Sequence, residues 1–462
     1  MVSSAIANGL KLLITACIGL LAGFVLLIVL PVISQNPLFL VAFPVALGGL
    51  VFVVVNPRLC LAALLLGRCS VDQLLQTTSI GFLGANFTFG AVINLVLLLV
   101  GLLLIIQHIQ GLQGTPSLRP WIFFLVAGFA SILFSPFPVP SLKLWLNILS
   151  YAVMFILAWI VADNTHERRF WLNLIVISAV VPVLYGDMEA VFFARDYFDA
   201  GKRVRGTFDH PNIFAYYLVL ALWAIVFRLR NSQSGLSKLV RRLLWLLAGN
   251  VLVLLLMTKT RSAWVGCWVS FFLFALLRER RWLWAVCAAP FLALAYPPVF
   301  ARVREMVTGE TSTGSGVNSW VWRVNLWKAS LVEVFKRPVF GHGLGSFLPL
   351  SIDFSPDRYN FGAHNAFLEL AFEMGFVGLI SFVAILSRLL TSAFRGITAP
   401  GLTGFAAALA FAVLSAYALQ GFSDNMLQYL SFNWYLWFFV GLLFRYFLSQ
   451  PETPSDLSAG YE

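Results

Sequence analysis

The residues best able to do chemistry gather where a polar stretch gives way to an apolar run. His364 and Asn365 stand just before Ala366–Leu379, and Glu369 and Glu373 follow inside that run. Asn is a competent helix cap, and the positive end of a helix favours a neutral imidazole over a cationic one. A neutral imidazole accepts protons, which makes His364 a candidate general base. Glu369 and Glu373, at i and i+4, share one helix face. Carboxylates within an apolar segment turn toward protein or a wet cavity, so both are candidate substrate-binding groups. Taken alone, His364 reads first as a hydrogen-bonded cap; the two glutamates beside it and the arginines on the same side favour the chemical reading.

Cations suited to an anionic ligand lie elsewhere. Lys259 and Arg261 occupy a tight turn in Met257–Trp264, and Arg261 opens the next apolar run. A guanidinium fork binds phosphate oxygens bidentately, as a diphosphate leaving group would require; snorkelling to lipid headgroups is the alternative. Arg195, Lys202, Arg203 and Arg205 lie in one loop, and Asp209 and His210 precede Pro211, a residue suited to the first turn of a helix. Capping by Asp209 or Asn212 accounts for much of that segment without chemistry. In Trp320–Arg337, Trp320, Val324, Trp327 and Leu331 fall at helical spacing, with Arg323, Lys328 and Lys336 off the stripe. This pattern fits an amphipathic helix at the membrane surface or one packed on a bundle.

The elements that must position these groups are membrane helices. Of 462 residues, 60% are hydrophobic and 11% charged, whereas soluble domains carry about 25% charged residues. Apolar runs long enough to cross a bilayer recur near 10–33, 37–55, 59–68 (short), 87–106, 120–135, 142–162, 170–194, 212–228, 240–257, 261–278, 282–297, 366–387, 402–420 and 429–448. The expected fold is all-α and polytopic, with 12–14 transmembrane helices. Open sheets leave backbone groups unsatisfied in lipid, and barrel strands would alternate in polarity. The expected divisions are a bundle over 1–297, an external loop over 298–363, C-terminal helices over 364–448 and a disordered cytoplasmic tail over 449–462.

Net charge is +11, but the cations sit in short loops, which argues for membrane orientation rather than nucleic-acid binding. Arg168–Arg169, Arg228–Arg242, Arg278–Arg281, Arg388 and Arg395 define the cytoplasmic side, and the Arg195–Arg205 and Lys259–Arg261 groups fall opposite. The five cysteines lack C-x-x-C spacing, which disfavours zinc or redox motifs. Asp187, Glu189 and Asp424 are the residues an ion-transport reading would use.

Together, three motifs resemble the O-antigen ligase and O-antigen polymerase superfamily. They are H-N-x9-G-x-x-G (His364, Asn365, Gly375, Gly378), the T-R-S turn at Arg261, and R-x3-W-x9-R-P-x2-G-x-G (Arg323, Trp327, Arg337, Pro338, Gly341, Gly343). The segment Gly206–Asn212 is similar as well. The resemblance implies a GT-C-like enzyme of the bacterial inner membrane with a large periplasmic loop, built from amphipathic helices, that faces the site. It implies transfer of a glycan from undecaprenyl diphosphate to a hydroxyl, with no metal or other cofactor. The acceptor is another lipid-linked glycan in a polymerase, toward which this reading leans, or lipid A-core in a ligase. By the same resemblance Arg261 and Arg323 contact the donor diphosphate and His364 activates the acceptor. Arg203, Arg205, His210, Lys259, Arg337, Glu369 and Glu373 are the expected substrate-binding residues. Membrane lipid and a chain-length regulator or flippase are the other expected partners; nucleic acid is not.

Overall fold

The computed structural model describes residues 48–49, 51–82, 85–192, 202–231, 235–295, 299–300, 304, 319–355 and 360–448. The expected span at 10–33, most of that at 37–55, Arg195 and the tail over 449–462 lie outside them. The helices are α1 (Pro57–Gly67), α2 (Asp72–Thr77), α3 (Phe89–Gln107), α4 (Leu118–Ile132), α5 (Pro138–Val161), α6 (Thr165–Ser178), α7 (Val180–Phe192), α8 (Pro211–Arg230) and α9 (Lys238–Met257). They continue as α10 (Arg261–Leu277), α11 (Leu283–Leu294), α12 (Ser319–Lys336), α13 (Phe347–Phe354), α14 (Ala366–Gly396), α15 (Gly401–Gly421) and α16 (Leu430–Leu448). A short antiparallel hairpin, β1 (Ser79–Phe82) with β2 (Ala85–Thr88), is the one departure from an all-α architecture among the described residues.

Seven helical stretches among the described residues are long and apolar enough to cross a membrane: α3, α5, α6 with α7, α8, α9, α14 and α15. The protein is an all-α polytopic membrane protein. Helices α1, α4 and α10 are apolar but shorter. Helix α16 owes its place to packing, because nearly every residue from Leu430 to Phe447 is buried. Its principal neighbour is α5, and Gly441 lies against the Phe155 carbonyl and Ala158, where a side chain would collide. Small residues let membrane helices approach in this way. Trp434 donates to Ser150 Oγ at 2.9 Å, and Trp437 meets Trp121 edge-on with ring centroids 4.9 Å apart.

At the end of the bundle opposite the site, arginines tie helix termini together. Arg278 donates to the carbonyls of Ile397 (3.0 Å) and Gly401 (3.1 Å), and Arg445 donates to that of Ala162 (3.3 Å).

Helix α14 is broken inside its apolar stretch. Gly375 has φ 64° and ψ −167°, a region essentially reserved for glycine. The break strands backbone groups, and the segment Pro338–Gly343 satisfies them. Phe376 N donates to Pro338 O (2.7 Å), His342 N to Phe372 O (2.8 Å) and Gly343 N to Glu373 O (2.9 Å). Irregular backbone at membrane depth is tolerated where protein pairs it. A Cβ on Gly375 would run into the Val339 carbonyl, so the glycines of two separate motifs form one backbone joint.

Helix α12 packs onto this joint and α14. Its buried positions are Leu326, Ser330 and Val334, with Arg323 and Trp327 partly buried, while Leu331 is exposed. The predicted stripe is thus rotated: Leu331 leaves the packed face and Arg323 joins it, because a tryptophan and an arginine reach sideways to hydrogen-bond carbonyls. The Trp320 side chain lies outside the described residues.

Gly375→Ala should destabilise the protein by roughly 1–3 kcal/mol, read as a lower thermal midpoint in detergent. Gly249→Ala, at a helix position with open space around it, should leave the midpoint unchanged or slightly higher. Equal midpoints for both variants would refute the joint.

Candidate active site

The chain begins three helices at one place. Pro211 opens α8 beside Asn212, Arg261 opens α10 beside Ser262, and Asn365 caps α14 by accepting from Phe367 N and Leu368 N at 3.1 Å each. Residues at the starts of α8 and α14 bond to the loop that follows α15, and the start of α10 joins them through the Ser262–Tyr216 hydrogen bond. At its centre Asp424 is buried, its side chain 3% exposed. Asp424 Oδ2 accepts from Asn212 Nδ2 and Tyr216 OH, each at 2.9 Å. Oδ1 accepts from Tyr429 OH (2.8 Å) and Asn425 N (2.9 Å). Helix N-termini carry positive partial charge and attract anions.

His364 stands beside this carboxylate. Its Nδ1 is buried, makes no hydrogen bond and lies 3.7 Å from Asp424 Oδ1, while its side chain as a whole is 36% exposed. With Nδ1 turned inward, the open edge of the ring bears Nε2. His364 adopts φ 47°, uncommon for a residue other than glycine. Trp322, 6.3 Å away between ring centroids, and the Trp327 Nε1 bond to Ala363 O (2.7 Å) press α12 against this turn. Asn425 Oδ1 receives Asn365 N (3.2 Å), locking the loop to the start of α14.

The cations assemble around the same point. Arg203 Nε donates to Thr258 O (2.8 Å), and its Nη2 donates to Asn212 Oδ1 (2.6 Å) and Thr260 Oγ1 (2.7 Å). Its fork therefore braces the turn before α10, in which Lys259 has φ 51°. Arg261 is partly buried at the first position of α10, and its neighbour Ser262 shares a hydrogen bond with Tyr216 OH (2.6 Å). Arg323 Nη1 donates to Ser423 O (3.1 Å), next to Asp424. His210 caps α8, its Nδ1 accepting from Asn212 N (3.1 Å). Desolvation first, and then the Arg203 charge, push its pKa below the usual imidazole value, in keeping with a neutral acceptor. For Asp424, burial works to raise the pKa. Contacts from His364, Tyr429 and Tyr216 outweigh it and hold the carboxyl below its usual range.

Arg203, His210, Lys259, Arg261, Arg323 and His364 thus belong to one neighbourhood. Glu369 joins it through Gln428, whose amide donates to Glu369 Oε1. Glu373 instead caps α13, accepting from Phe347 N (3.1 Å). Arg205 is exposed at the rim, its backbone N–H held by Glu189 Oε2 (3.0 Å). Arg337 is exposed after α12, among the glycine-joint residues. Asp187 accepts from Asn250 (2.7 Å), so it and Glu189 serve internal contacts, whereas a transport path would need them open.

Sequence reasoning missed Asp424 as the hub, and Asn212, Tyr216, Thr260, Ser262 and Tyr429 as its frame. The available signal was the polar run Ser423–Asp424–Asn425 closing an apolar helix.

Residues 243–383 match the family model for O-antigen ligase. That match supports the resemblance of the chain to the O-antigen ligase and polymerase superfamily. A search of curated proteins finds no match.

Asp424→Asn should cut any His364-dependent turnover by about 10²-fold. An amide cannot accept from all four of the donors that now converge on the carboxylate. Because the folded-state pKa of Asp424 is depressed, its contribution to stability is full above the ordinary carboxylate range and is lost as pH falls through the lower folded value. Acid unfolding should therefore soften in the variant, and unchanged activity or unchanged acid sensitivity would count against the assignment.

Proposed function

We propose that the protein is an inverting glycosyltransferase that moves a glycan from undecaprenyl diphosphate to an acceptor hydroxyl at the periplasmic face of the inner membrane. The observation that carries this reading is the convergence of three helix N-termini and several guanidinium groups on the His364–Asp424 pair. The family match supports a lipid-linked glycan transferase in general.

In this mechanism the acceptor oxygen attacks C1 of the donor sugar opposite the diphosphate. The C1–O bond breaks, and its electron pair passes to the leaving diphosphate. Arg261 and Arg323, aided by the positive end of α10, stabilise that growing charge in a site of low dielectric. His364 Nε2 takes the acceptor proton as the new bond forms, and Asp424 orients the ring and stabilises the imidazolium. A single displacement inverts the anomeric centre. No metal or nucleotide cofactor is needed, since guanidinium groups do the work of charge neutralisation. The reading leans to a polymerase of O-antigen or exopolysaccharide, with transfer to lipid A-core as the alternative.

Arg261→Ala and His364→Ala should each abolish glycan transfer while leaving membrane insertion intact. Normal polymer length or ligation in either well-expressed variant would refute the roles. Purified protein given lipid-linked repeat units alone should lengthen the glycan. Label passing only to added lipid A-core would identify a ligase, and no transfer to either would return the reading to transport.

A further inference from the structure

Behind Asp424, on the bundle side of its loop, lies a small cavity lined in part by Leu144, Ile148, Leu344, Glu369, Glu373 and Gln428. Both carboxyl groups are buried, with Glu369 6% and Glu373 2% exposed. Gln428 donates to Glu369 Oε1 and Phe347 N to Glu373 Oε1, but Glu369 Oε2 is buried without a hydrogen-bond partner. A charged oxygen orphaned beside leucine and isoleucine is costly. Protonated, the same oxygen becomes a donor able to serve one buried water.

A bound hard cation is a poorer answer. Calcium takes about 6–8 oxygen ligands, and this lining offers two carboxyl groups and two amides among aliphatic side chains. The surrounding charges point the same way. Glu373 on its own helix and Asp424 on the loop both act on Glu369, and Tyr429 faces it from that loop. Helix α5 and the segment before α13 bring only Leu144, Ile148 and Leu344 to the cavity.

We infer that Glu369 works as a neutral, protonated carboxyl group that, through Gln428, positions the loop carrying Asp424. Glu369 is a positioning residue and touches no reacting atom; the inference rests on the transferase reading above. When its proton passes to solvent at high pH, a further anion appears behind Asp424, the loop shifts, and His364 loses its alignment. Transfer should therefore fall on the alkaline side.

The test uses purified full-length protein, lipid-linked repeat units and the variants Glu369→Gln and Glu369→Ala. The glutamine variant keeps the acceptor for Gln428 without a charge. It should stay within about twofold of the parent at neutral pH and lose the alkaline decline. The alanine variant strands the Gln428 amide and should lose roughly tenfold or more. Infrared spectra of the parent should show a carboxylic-acid carbonyl band missing from Glu369→Gln. A glutamine variant as inactive as the alanine one, a parent without an alkaline decline, or no such band would each overturn the inference. Parent protein that transfers glycan to neither acceptor would instead overturn the transferase reading, and the infrared result would stand apart from it.

Discussion

A carboxylate drawn into the end of a membrane bundle must have every oxygen lone pair answered by protein, and Asp424 is where this molecule meets that demand. Two tyrosines, an asparagine and a backbone amide point at it, and an imidazole lies against it. Two of the donors come from α8 and two from Asp424's own loop, and the imidazole comes from the turn before α14, so the need to satisfy one anion brings α8, α14 and the loop after α15 to a common point. The positive ends of three helices supply background potential that no single side chain provides.

The glycine joint meets the same requirement with backbone groups. Breaking α14 at Gly375 leaves polar atoms that lipid cannot satisfy, and Pro338–Gly343 supplies the partners. The joint anchors the segment that runs from α12 into α13, and α12 in turn presses on the turn bearing His364. Strain at Gly375 and His364 is thus held in place by hydrogen bonds on both sides. Active groups supported in this way need little rearrangement when charge develops, which is the condition for electrostatic catalysis.

Much was legible from residues alone. Hydropathy placed the helices over 89–107, 138–161 and 211–230 within a few residues, since an apolar run of that length has few fates other than crossing a membrane. The H-N pair at a helix start was legible too, because capping is local: Asn365 bonds to residues two and three positions on. The face of α12 was misjudged because periodicity counts apolar residues, whereas the packed side is chosen by Arg323 and Trp327 reaching carbonyls 100 and 36 residues away. Glu369 and Glu373 looked alike in sequence, yet one is tied to the site loop and the other caps a short helix.

Sequence by itself determined the membrane helices, the cations clustered in loops at each end of them, and the residue types available for acid–base and phosphate chemistry. These follow from local length, polarity and capping. Tertiary structure alone decided that Asp424 is the hub, since its partners Asn212 and Tyr216 lie 212 and 208 residues away in the chain. It also decided that Arg203 braces a turn while Arg205 lies at the rim. Which of two neighbouring cations points inward depends on the acceptors that packing delivers, and no spacing rule encodes them.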